Sequence, residues 1–451
     1  MRRTLRKVII AAGCLATAVT GGRTPLGAVD AQPPVGPAVH EASADPQEVE
    51  LIRQLARRRG GRPDALAQFI QMTAPFGDAA AAAVLEELAV AHLAAGELNL
   101  AAEARQMMFE QYPAQPQAQQ AALWLVRMYA SSEVGHARRQ RSQGVENIKR
   151  QLSPAMQAAL SSEPAASAGA DGSATGDTAP AADAGALYAC QLASQAATHQ
   201  PALGSDAAFA FARSVAARRA GQPRAAQALL TPLKHRAAGD VWGDCARAEA
   251  WLQDPEDDAA PKPTATCLRA AERPRLDGML DEACWSGSPK SLCKTADVRL
   301  AYDDRYLYLA VCCAKRDGVA YPRDDRPRPH DGDVASYDHV RLALDLDRDY
   351  ATWFELTVDS RGWTADRCAG DASWNPRWYV AAAESNVAAG PAWIVEAAIP
   401  LAELTTETVT PQSVWACAAA RVVPSASPSA ARDLAPPDFT LLRFSDAAAS
   451  P

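Results

Sequence analysis

Alternating apolar and polar residues run from Val298 to Tyr302, stop at an Asp303-Asp304 pair, and give way to a continuous apolar run from Tyr306 to Val311. Two such segments on either side of a turn are typical of a β-hairpin. The second arm is apolar on both faces, as in a central strand that is covered on both sides. The pattern therefore predicts a hairpin inside a sandwich or a similar closed β-architecture.

A different period dominates the first half of the chain, where apolar residues recur every three or four positions. Breaks at Gly96 and Gly221 divide these stripes into two helix-turn-helix hairpins. Each hairpin has an alanine five residues after its glycine, Ala101 and Ala226, where two helices must approach closely. Both resemble degenerate tetratricopeptide-repeat hairpins. They are not tandem copies, so a long solenoid does not follow.

Composition adds the boundaries between these regions. Residues 161–185 are almost wholly Ala, Ser, Gly, Asp, Thr and Pro, which cannot bury enough apolar surface to offset chain entropy. The predicted organisation is a signal peptide (1–31), a linker (32–45), an α-helical repeat-like region (46–160), a disordered linker or insertion (161–185), an α-helical hairpin region (186–253), a second linker (254–266) and a β-sandwich (267–447).

Several motifs surround the β-hairpin in sequence order: Pro274-Arg275-Leu276-Asp277-Gly278, Leu280-Asp281-Glu282, Trp285, Asp338-His339-Val340, Leu342, Leu344, Asp345, Phe354-Glu355-Leu356-Thr357-Val358, Gly362, Trp393–Pro400, Leu401, Leu404, Trp415, Arg421, Phe439, Leu442 and Arg443. In this order and spacing, about residues 267 to 446 resemble the family 9 carbohydrate-binding module and its wider relatives. The resemblance implies a sandwich of two mainly antiparallel sheets, often attached to secreted polysaccharide-degrading proteins. The expected fold is therefore multidomain, a helical repeat-like region followed by an all-β sandwich.

The resemblance also implies a sugar site, from which this chain departs. Sugar-binding members similar to it place one tryptophan just before the Asp-x-Val strand and another before the last Phe-x-x-Leu-Arg strand, so that two rings enclose a sugar. This chain has residues 335–337 (Ala-Ser-Tyr) and 431–433 (Ala-Arg-Asp) at those places. It also has Arg341 where the family often has an acidic residue. The fold is thus implied more strongly than the sugar site.

A candidate polar site lies on the predicted hairpin that follows Asp338. A symmetric turn centred on Arg348 would place Arg341 opposite Glu355 and would put both on an outer face with Trp353. An aromatic ring between a cation and a carboxylate could bind a sugar or a planar polar ligand. The alternative is a solvated sheet face with a weak cross-strand ion pair, and a one-residue change of register would separate the three side chains.

Other aromatic residues could replace the missing tryptophan pair. Tyr337 lies near the expected site, and Trp363, Trp374 and Trp378 fall in or beside a loop-like segment. Exposed loop tryptophans commonly stack on sugars, although tryptophan is also a common core residue at the edges of sandwiches. The predicted ligand-binding residues are Tyr337, Arg341, Trp353, Glu355, Trp374 and Trp378.

The N-terminus predicts export. Residues 2–7 include four basic side chains, an apolar run follows from Val8 to about Val19, and Val29-Asp30-Ala31 forms a small-residue cleavage site. A lipoprotein anchored at Cys14 and an uncleaved membrane anchor remain alternatives. The chain carries a formal charge of -8, and residues 1–31 contribute net positive charge, so a cleaved product would be more acidic. Such a chain is a poor nucleic-acid binder.

The chain has ten cysteines but no Cys-x-x-Cys motif, which argues against a zinc ribbon, a thioredoxin-type site and covalent haem. Cys190 and Cys245 lie in the helical region and are the disulfide candidates for an exported chain. The Asp345, Asp347 and Asp349 series around the predicted turn could hold calcium. A solvated turn is the simpler interpretation, because the glycine and distal glutamate of an EF-hand are missing.

No nucleophile elbow, Walker loop, dinucleotide-binding glycine run or His-Glu-x-x-His motif occurs, so no catalytic residue is predicted. The favoured function is that of an exported, non-catalytic protein, whose sandwich binds a glycan or another cell-envelope ligand while its helices contact a protein. The alternatives are an interaction scaffold that has lost sugar binding and an accessory or catalytic part of a glycoside hydrolase system. Some distant relatives of the fold bind haem, for which Met279, His330 and His339 are the nearby ligand types.

Overall fold

The computed structural model describes residues 46–59, 62, 65–151, 183–254, 259–286, 291–322, 328–329, 331–387, 390–424 and 433–446. All of them belong to one compact unit, Ser43–Pro451. The predicted signal peptide, the linker 32–45, Cys14, His330 and most of the predicted linker 161–185 lie outside the described residues. Within the described ranges, no helix is both long enough and apolar enough to cross a membrane.

Helices make up the described chain from residue 46 to residue 253, as the periodicity predicts. They are α1 (Pro46–Arg59), α2 (Ala65–Thr73), α3 (Asp78–Ala94), α4 (Leu98–Gln111), α5 (Pro116–Ala130), α6 (Ser132–Gln151), α7 (Ala184–His199), α8 (Pro201–Gly204), α9 (Ala207–Arg219), α10 (Pro223–Lys234) and α11 (Val241–Gln253). The predicted hairpins are α3 with α4 and α9 with α10.

The turns of both hairpins follow from their residues. Gly96 and Gly221 have φ angles of +76° and +71°, a region that favours glycine, and each ends the turn that follows a helix. Asp206 caps α9, since its carboxylate accepts a hydrogen bond from the Phe209 backbone N–H at 2.8 Å. Ala101 and Ala226 are both buried, as close approach between helices requires.

The second half of the chain is a sheet of ten strands: β1 (Thr264–Arg269), β2 (Asp297–Tyr302), β3 (Tyr306–Ala314), β4 (His339–Asp345), β5 (Phe354–Asp359), β6 (Thr364–Cys368), β7 (Tyr379–Val387), β8 (Gly390–Pro400), β9 (Val414–Val422) and β10 (Thr440–Ser445). A short helix, α12 (Ala283–Ser286), lies between β1 and β2. The expected class, helical region followed by β-region, is confirmed.

The sheet has the order β6-β5-β4-β9-β10-β1-β2-β3-β8-β7 and is mainly antiparallel. Strand β1 forms the two parallel pairings, one with β10 and one with β2. It therefore joins two antiparallel halves, β6-β5-β4-β9-β10 and β2-β3-β8-β7, into one continuous curled sheet. Strand β1 begins inside the predicted linker 254–266, because its first residues already pair with β10.

The hairpin predicted from Val298 to Val311 is formed by β2 and β3. Val298 pairs with Val311 and Leu300 pairs with Leu309. The Asp303 carboxylate closes the turn by accepting hydrogen bonds from the backbone N–H groups of Arg305 (2.7 Å) and Tyr306 (2.8 Å). Strand β3 lies between β2 and β8, as its apolar faces predict.

One apolar cluster runs through both halves of the sheet and into the helices. It contains Leu342 and Phe354 from one half, Leu309 and Val395 from the other, and Leu125 of α5 among others. A second cluster packs α9, α10 and α11 against the outer face of β4 and β9. The helices therefore cover part of the outer face of the sheet.

The two disulfide candidates lie in different apolar surroundings. Cys190 packs at the margin of the large cluster, and Cys245 is fully buried in the second one. Both are free thiols in the structure. Burial raises the pKa of the Cys245 thiol to about 12, as expected for a thiol in an apolar core.

Candidate functional site

The first candidate site lies on the outer face of β4, β5 and β6, at the end that the helices leave open. Arg341 is opposite Thr357, and Thr357 is opposite Ala365. Glu355 is opposite Arg367. Side chains at these alternating positions point to one face of a sheet. With His339 they line a cleft of about 310 Å³, called here the outer-face cleft.

The central ion pair of this cleft joins Arg341 and Glu355, with 2.6 Å between Nη2 and Oε2. Sequence reasoning predicted this pair, but its register was wrong by two residues. Glu355 is opposite Ala343, and the pair is diagonal. The turn is longer than predicted, because the Asp345 carboxylate accepts hydrogen bonds from two backbone N–H groups within it, at Asp349 and Tyr350.

The resemblance implies a tryptophan in each of two stretches, residues 335–337 and 431–433. Each stretch contributes one residue to the outer-face cleft. Ala335, which precedes β4, and Asp433, which precedes β10, both line it. Their side chains are a methyl group and a carboxylate, so neither supplies an aromatic face. The cleft carries the cations Arg341 and Arg367 and the carboxylates Glu355 and Asp433, and it is a charged site instead of an aromatic one.

Asp366 also lines this cleft, although it lies opposite Leu356 of the core face. Its Oδ2 accepts a hydrogen bond from the Trp378 indole N–H at 3.3 Å. Burial is the main reason that the pKa of Asp366 rises to about 7, and the neighbouring Asp331 carboxylate raises it further. The wall of the cleft therefore contains a carboxyl group that can change its charge near neutral pH.

The other predicted aromatic residues have partners within the protein. The Arg361 guanidinium lies 3.6 Å from the ring centroid of Tyr337 and 3.8 Å from that of Trp363. Trp374 is 4% exposed and stacks on Phe354 at 4.3 Å between ring centroids.

The last two predicted tryptophans are also packed. Trp378 is 4% exposed, and Trp353 is half-buried beside Phe439, with 5.4 Å between ring centroids. Trp353 lies outside the outer-face cleft because α9, α10 and α11 cover its part of the sheet. Of the six predicted ligand-binding residues, the structure brings only Arg341 and Glu355 together in this cleft.

The second candidate site is an acidic cluster where the start of α6 meets the β4–β5 turn. Carboxylate oxygens of Glu133, Asp345 and Asp347, all buried, lie within 4.8 Å of one another. The Ser132 backbone N–H donates to Asp347 at 2.7 Å, and the Leu346 backbone N–H donates to Glu133. Sequence reasoning found the aspartates but missed Glu133, which lies more than two hundred residues earlier.

Burial and mutual repulsion dominate the electrostatics of this cluster. Burial, followed by the charges of neighbouring aspartates, raises the pKa of Glu133 and of Asp345 well above the usual range. The same causes raise the pKa of Asp349 to about 7. Such carboxylates can share protons or can offer the oxygen ligands that calcium prefers, which is the ion considered from the sequence.

Of the three candidate haem ligands, His330 lies outside the described residues, and Met279 and His339 line different clefts. Met279 is 59% exposed and lines a different cleft, between the segment before α12 and the outer face of β3 and β7. His339 lines the outer-face cleft, where its Nδ1 lies 2.7 Å from the Tyr337 carbonyl oxygen. Sequence alone placed these residues on one domain but could not assign them to faces.

The chain matches no protein-family model, and no significant match was found among the curated proteins or among the solved structures. The geometry of the sites therefore carries the functional argument.

Proposed function

We propose that this chain is an exported, non-catalytic binding protein that holds a carbohydrate or a related cell-envelope ligand in the outer-face cleft. The observation that carries the proposal is the meeting of Arg341, Glu355 and Arg367 in a cleft that also receives Ala335 and Asp433. Those last two belong to the stretches 335–337 and 431–433, at which the resemblance implies sugar-binding tryptophans. The helical region, in this proposal, contacts a protein partner.

The chemistry of the cleft favours recognition by hydrogen bonds and charge. A guanidinium presents several donors in a fixed plane, and a carboxylate accepts hydrogen bonds from neighbouring hydroxyl groups. The Thr357 hydroxyl adds a donor and acceptor beside Arg341. Without a stacking ring, we expect a charged or amino-substituted sugar to bind better than a neutral one, since charge-assisted hydrogen bonds are the stronger ones.

Calorimetric titration of the full chain tests this proposal with neutral sugars, uronic acids and amino sugars. We expect Glu355→Gln to weaken binding by about tenfold, because it removes one charge-assisted contact. Arg341→Gln should weaken it similarly. Arg224→Gln, at an exposed arginine of α10 that does not line the cleft, is the matched control and should bind as the parent chain does.

A protein-interaction scaffold is the second candidate, and the absence of the tryptophan pair from residues 335–337 and 431–433 favours it. If no sugar in the panel binds to the parent chain, the scaffold function replaces sugar binding. An association with polysaccharide-degrading enzymes belongs to the same proposal and would appear as co-purification with such an enzyme. Calcium binding by Asp345, Asp347 and Asp349, which the sequence suggests, stays a prediction.

A further inference from the structure

A third cleft, of about 760 Å³, opens where several helix ends converge beside the loop that joins β8 to β9. Four arginines line it, and we call it the arginine cleft. Arg138 and Arg139 come from α6, and Arg218 and Arg219 come from the end of α9. Only two carboxylates, Asp183 and Glu407, are among its lining residues, so its lining is positive in a chain with a net charge of -8.

The arginines of α9 already have partners. Arg218 forms an ion pair with the buried Glu249 and also donates to the Asp347 carbonyl oxygen. Arg219 donates to the Asp183 carboxylate at 2.6 Å. Arg219 Nε also lies 3.7 Å from the Asp347 carboxylate, so the charges of both arginines are balanced by carboxylates of the protein.

The arginines of α6 are not neutralised in this way. Arg138 donates to the neutral side chain of Asn99 at 3.2 Å and lies 5.4 Å from the ring centroid of Tyr129. Arg139 is exposed and forms no hydrogen bond or ion pair with a residue that the structure describes. Neither guanidinium is paired with a described carboxylate, so two positive charges remain for a ligand.

Buried donor groups without a hydrogen-bond partner also favour the binding of an anion. The buried Nε of Arg138 has no hydrogen-bond partner among the described residues, and the buried Nε of Arg219 has none either, although it lies 3.7 Å from the Asp347 carboxylate. A buried N–H that lacks an acceptor is costly, and more so when it belongs to a charged group. The buried Ser132 hydroxyl, also without a partner, lines an adjoining cavity of about 70 Å³ that shares Arg139 and Arg219 with the arginine cleft.

The remaining wall leaves room for a small anion, but the backbone N–H groups of its glycines already donate to Ser131, Asp183 and Arg218, so the arginines must supply the donors. Gly135, Gly185 and Gly221 line the arginine cleft and present no side chain. A guanidinium is well suited to phosphate, sulfate or carboxylate oxygens, because its N–H groups form a planar fork that can donate two parallel hydrogen bonds. Unpaired positive charge and side-chain donors without acceptors thus coincide at one place, beside a wall that has no bulky side chain.

We infer that the arginine cleft binds an oxyanion, the phosphate, sulfate or carboxylate group of a ligand, through Arg138 and Arg139. This site is separate from the outer-face cleft and does not depend on sugar binding there. The oxygen atoms of the anion would accept hydrogen bonds from the donors of the cleft that have no partner in the protein. Glu407, on the facing loop, would oppose binding by charge repulsion.

Isothermal titration of the full chain with inorganic phosphate, sulfate or acetate, at ionic strength balanced with chloride, tests this inference. A preference for phosphate and sulfate would identify a tetrahedral group, and a preference for acetate would identify a carboxylate. We expect Arg139→Gln to weaken binding by about tenfold and Glu407→Gln to strengthen it, since both positions act through charge. Arg58→Gln, an exposed arginine on α1, is the matched control and should change nothing.

Failure of the parent chain to bind any of these anions above the chloride background would overturn the inference. Equal binding by the parent chain and Arg139→Gln would overturn it as well. Arg139 is exposed, so its substitution is not expected to unfold the chain, and a thermal melt of each variant verifies this.

Discussion

Asp338 shows how single residues of a sequence motif become one buried network. Its carboxylate is fully buried and accepts hydrogen bonds from the Arg421 guanidinium, the Trp393 indole N–H at 3.0 Å and the Tyr321 hydroxyl at 2.9 Å. These residues come from β9, β8 and the segment after β3. The Asp338 carboxylate therefore connects residues from both halves of the sheet.

We expect Asp338→Ala to lower the free energy of unfolding by about 3–5 kcal/mol, because the Arg421 charge would remain buried without its partner. Urea unfolding of both proteins measures the difference. Asp304→Ala removes the partner of Arg269 at a position that is 80% exposed, and it serves as the control with little expected change. Equal effects of the two substitutions would contradict this account.

Asp349 should give stability a pH dependence of known sign. Its pKa in the folded chain is about 7, above its ordinary value of 3.8, so the folded chain binds more protons than the unfolded chain between these values. The stabilising contribution of Asp349 is therefore complete below about pH 4 and is lost as pH rises through about 7. Burial is the main cause of the raised pKa, and repulsion from Asp347 adds to it.

The test is thermal unfolding of the parent chain and Asp349→Asn from pH 4 to pH 8. The amide is neutral at every pH, so the stability of the variant relative to the parent chain should increase as pH rises. A difference that stays constant over this range would show that Asp349 titrates normally. Addition of calcium to the parent chain at pH 8 asks separately whether a cation relieves the same repulsion.

At the scale of elements, the β4–β5 hairpin shows what alternation along a sequence can and cannot predict. Its side-chain period placed Leu342 and Phe354 on the core face and Arg341 on the outer face, and the structure confirms each assignment. The pairing was wrong by two residues, because hydrogen bonds from the backbone to Asp345 lengthen the turn. A shift of two residues preserves the faces, whereas a shift of one would have reversed them.

Contacts between distant elements were not predictable in this way. Glu133 of α6 accepts a hydrogen bond from the Leu346 backbone N–H in the β4–β5 turn, but no local pattern in the sequence connects these two residues. The pattern of a strand reports which residues share a face, and it does not report what covers that face. For that reason Trp353 was expected on a ligand-binding surface and is instead packed beside the helices.

Trp353→Ala should therefore change stability more than ligand binding. Removing a large ring that contacts Phe439 leaves a cavity, and we expect a loss of about 3 kcal/mol in the free energy of unfolding. Binding at the outer-face cleft should be retained at a temperature well below the melt. Loss of binding with an unchanged melting temperature would instead show that Trp353 binds the ligand, as the sequence suggested.

At the scale of the whole molecule, the helical and β-regions share one core. The largest apolar cluster contains Phe109 and Leu192 of the helices as well as Trp393 and Leu442 of the sheet. Composition could place the boundary between the two regions, but it could not show that apolar side chains cross it. The boundary of a separate β-sandwich at residues 267–447 stays a prediction of the sequence.

We expect thermal unfolding of the full chain to give a single transition, since a shared core couples the two regions. A matched pair of fragments, 259–447 and 267–447, tests the boundary. Only the longer one contains all of β1, so it should melt at the higher temperature. Two well-separated transitions in the full chain would instead support independent domains.

The position of β1 has a consequence for how fast the chain can fold. Strand β1 pairs with β10, although almost all of the β-region lies between them in sequence. Contacts between segments this far apart form only after a long loop has closed, and closing it costs chain entropy before the contacts stabilise the fold. A high contact order therefore slows folding. During synthesis the two halves of the sheet can pair internally, but β1 must wait for the last strand to leave the ribosome. The late joining of the halves is therefore expected to limit the rate at which the β-region becomes native.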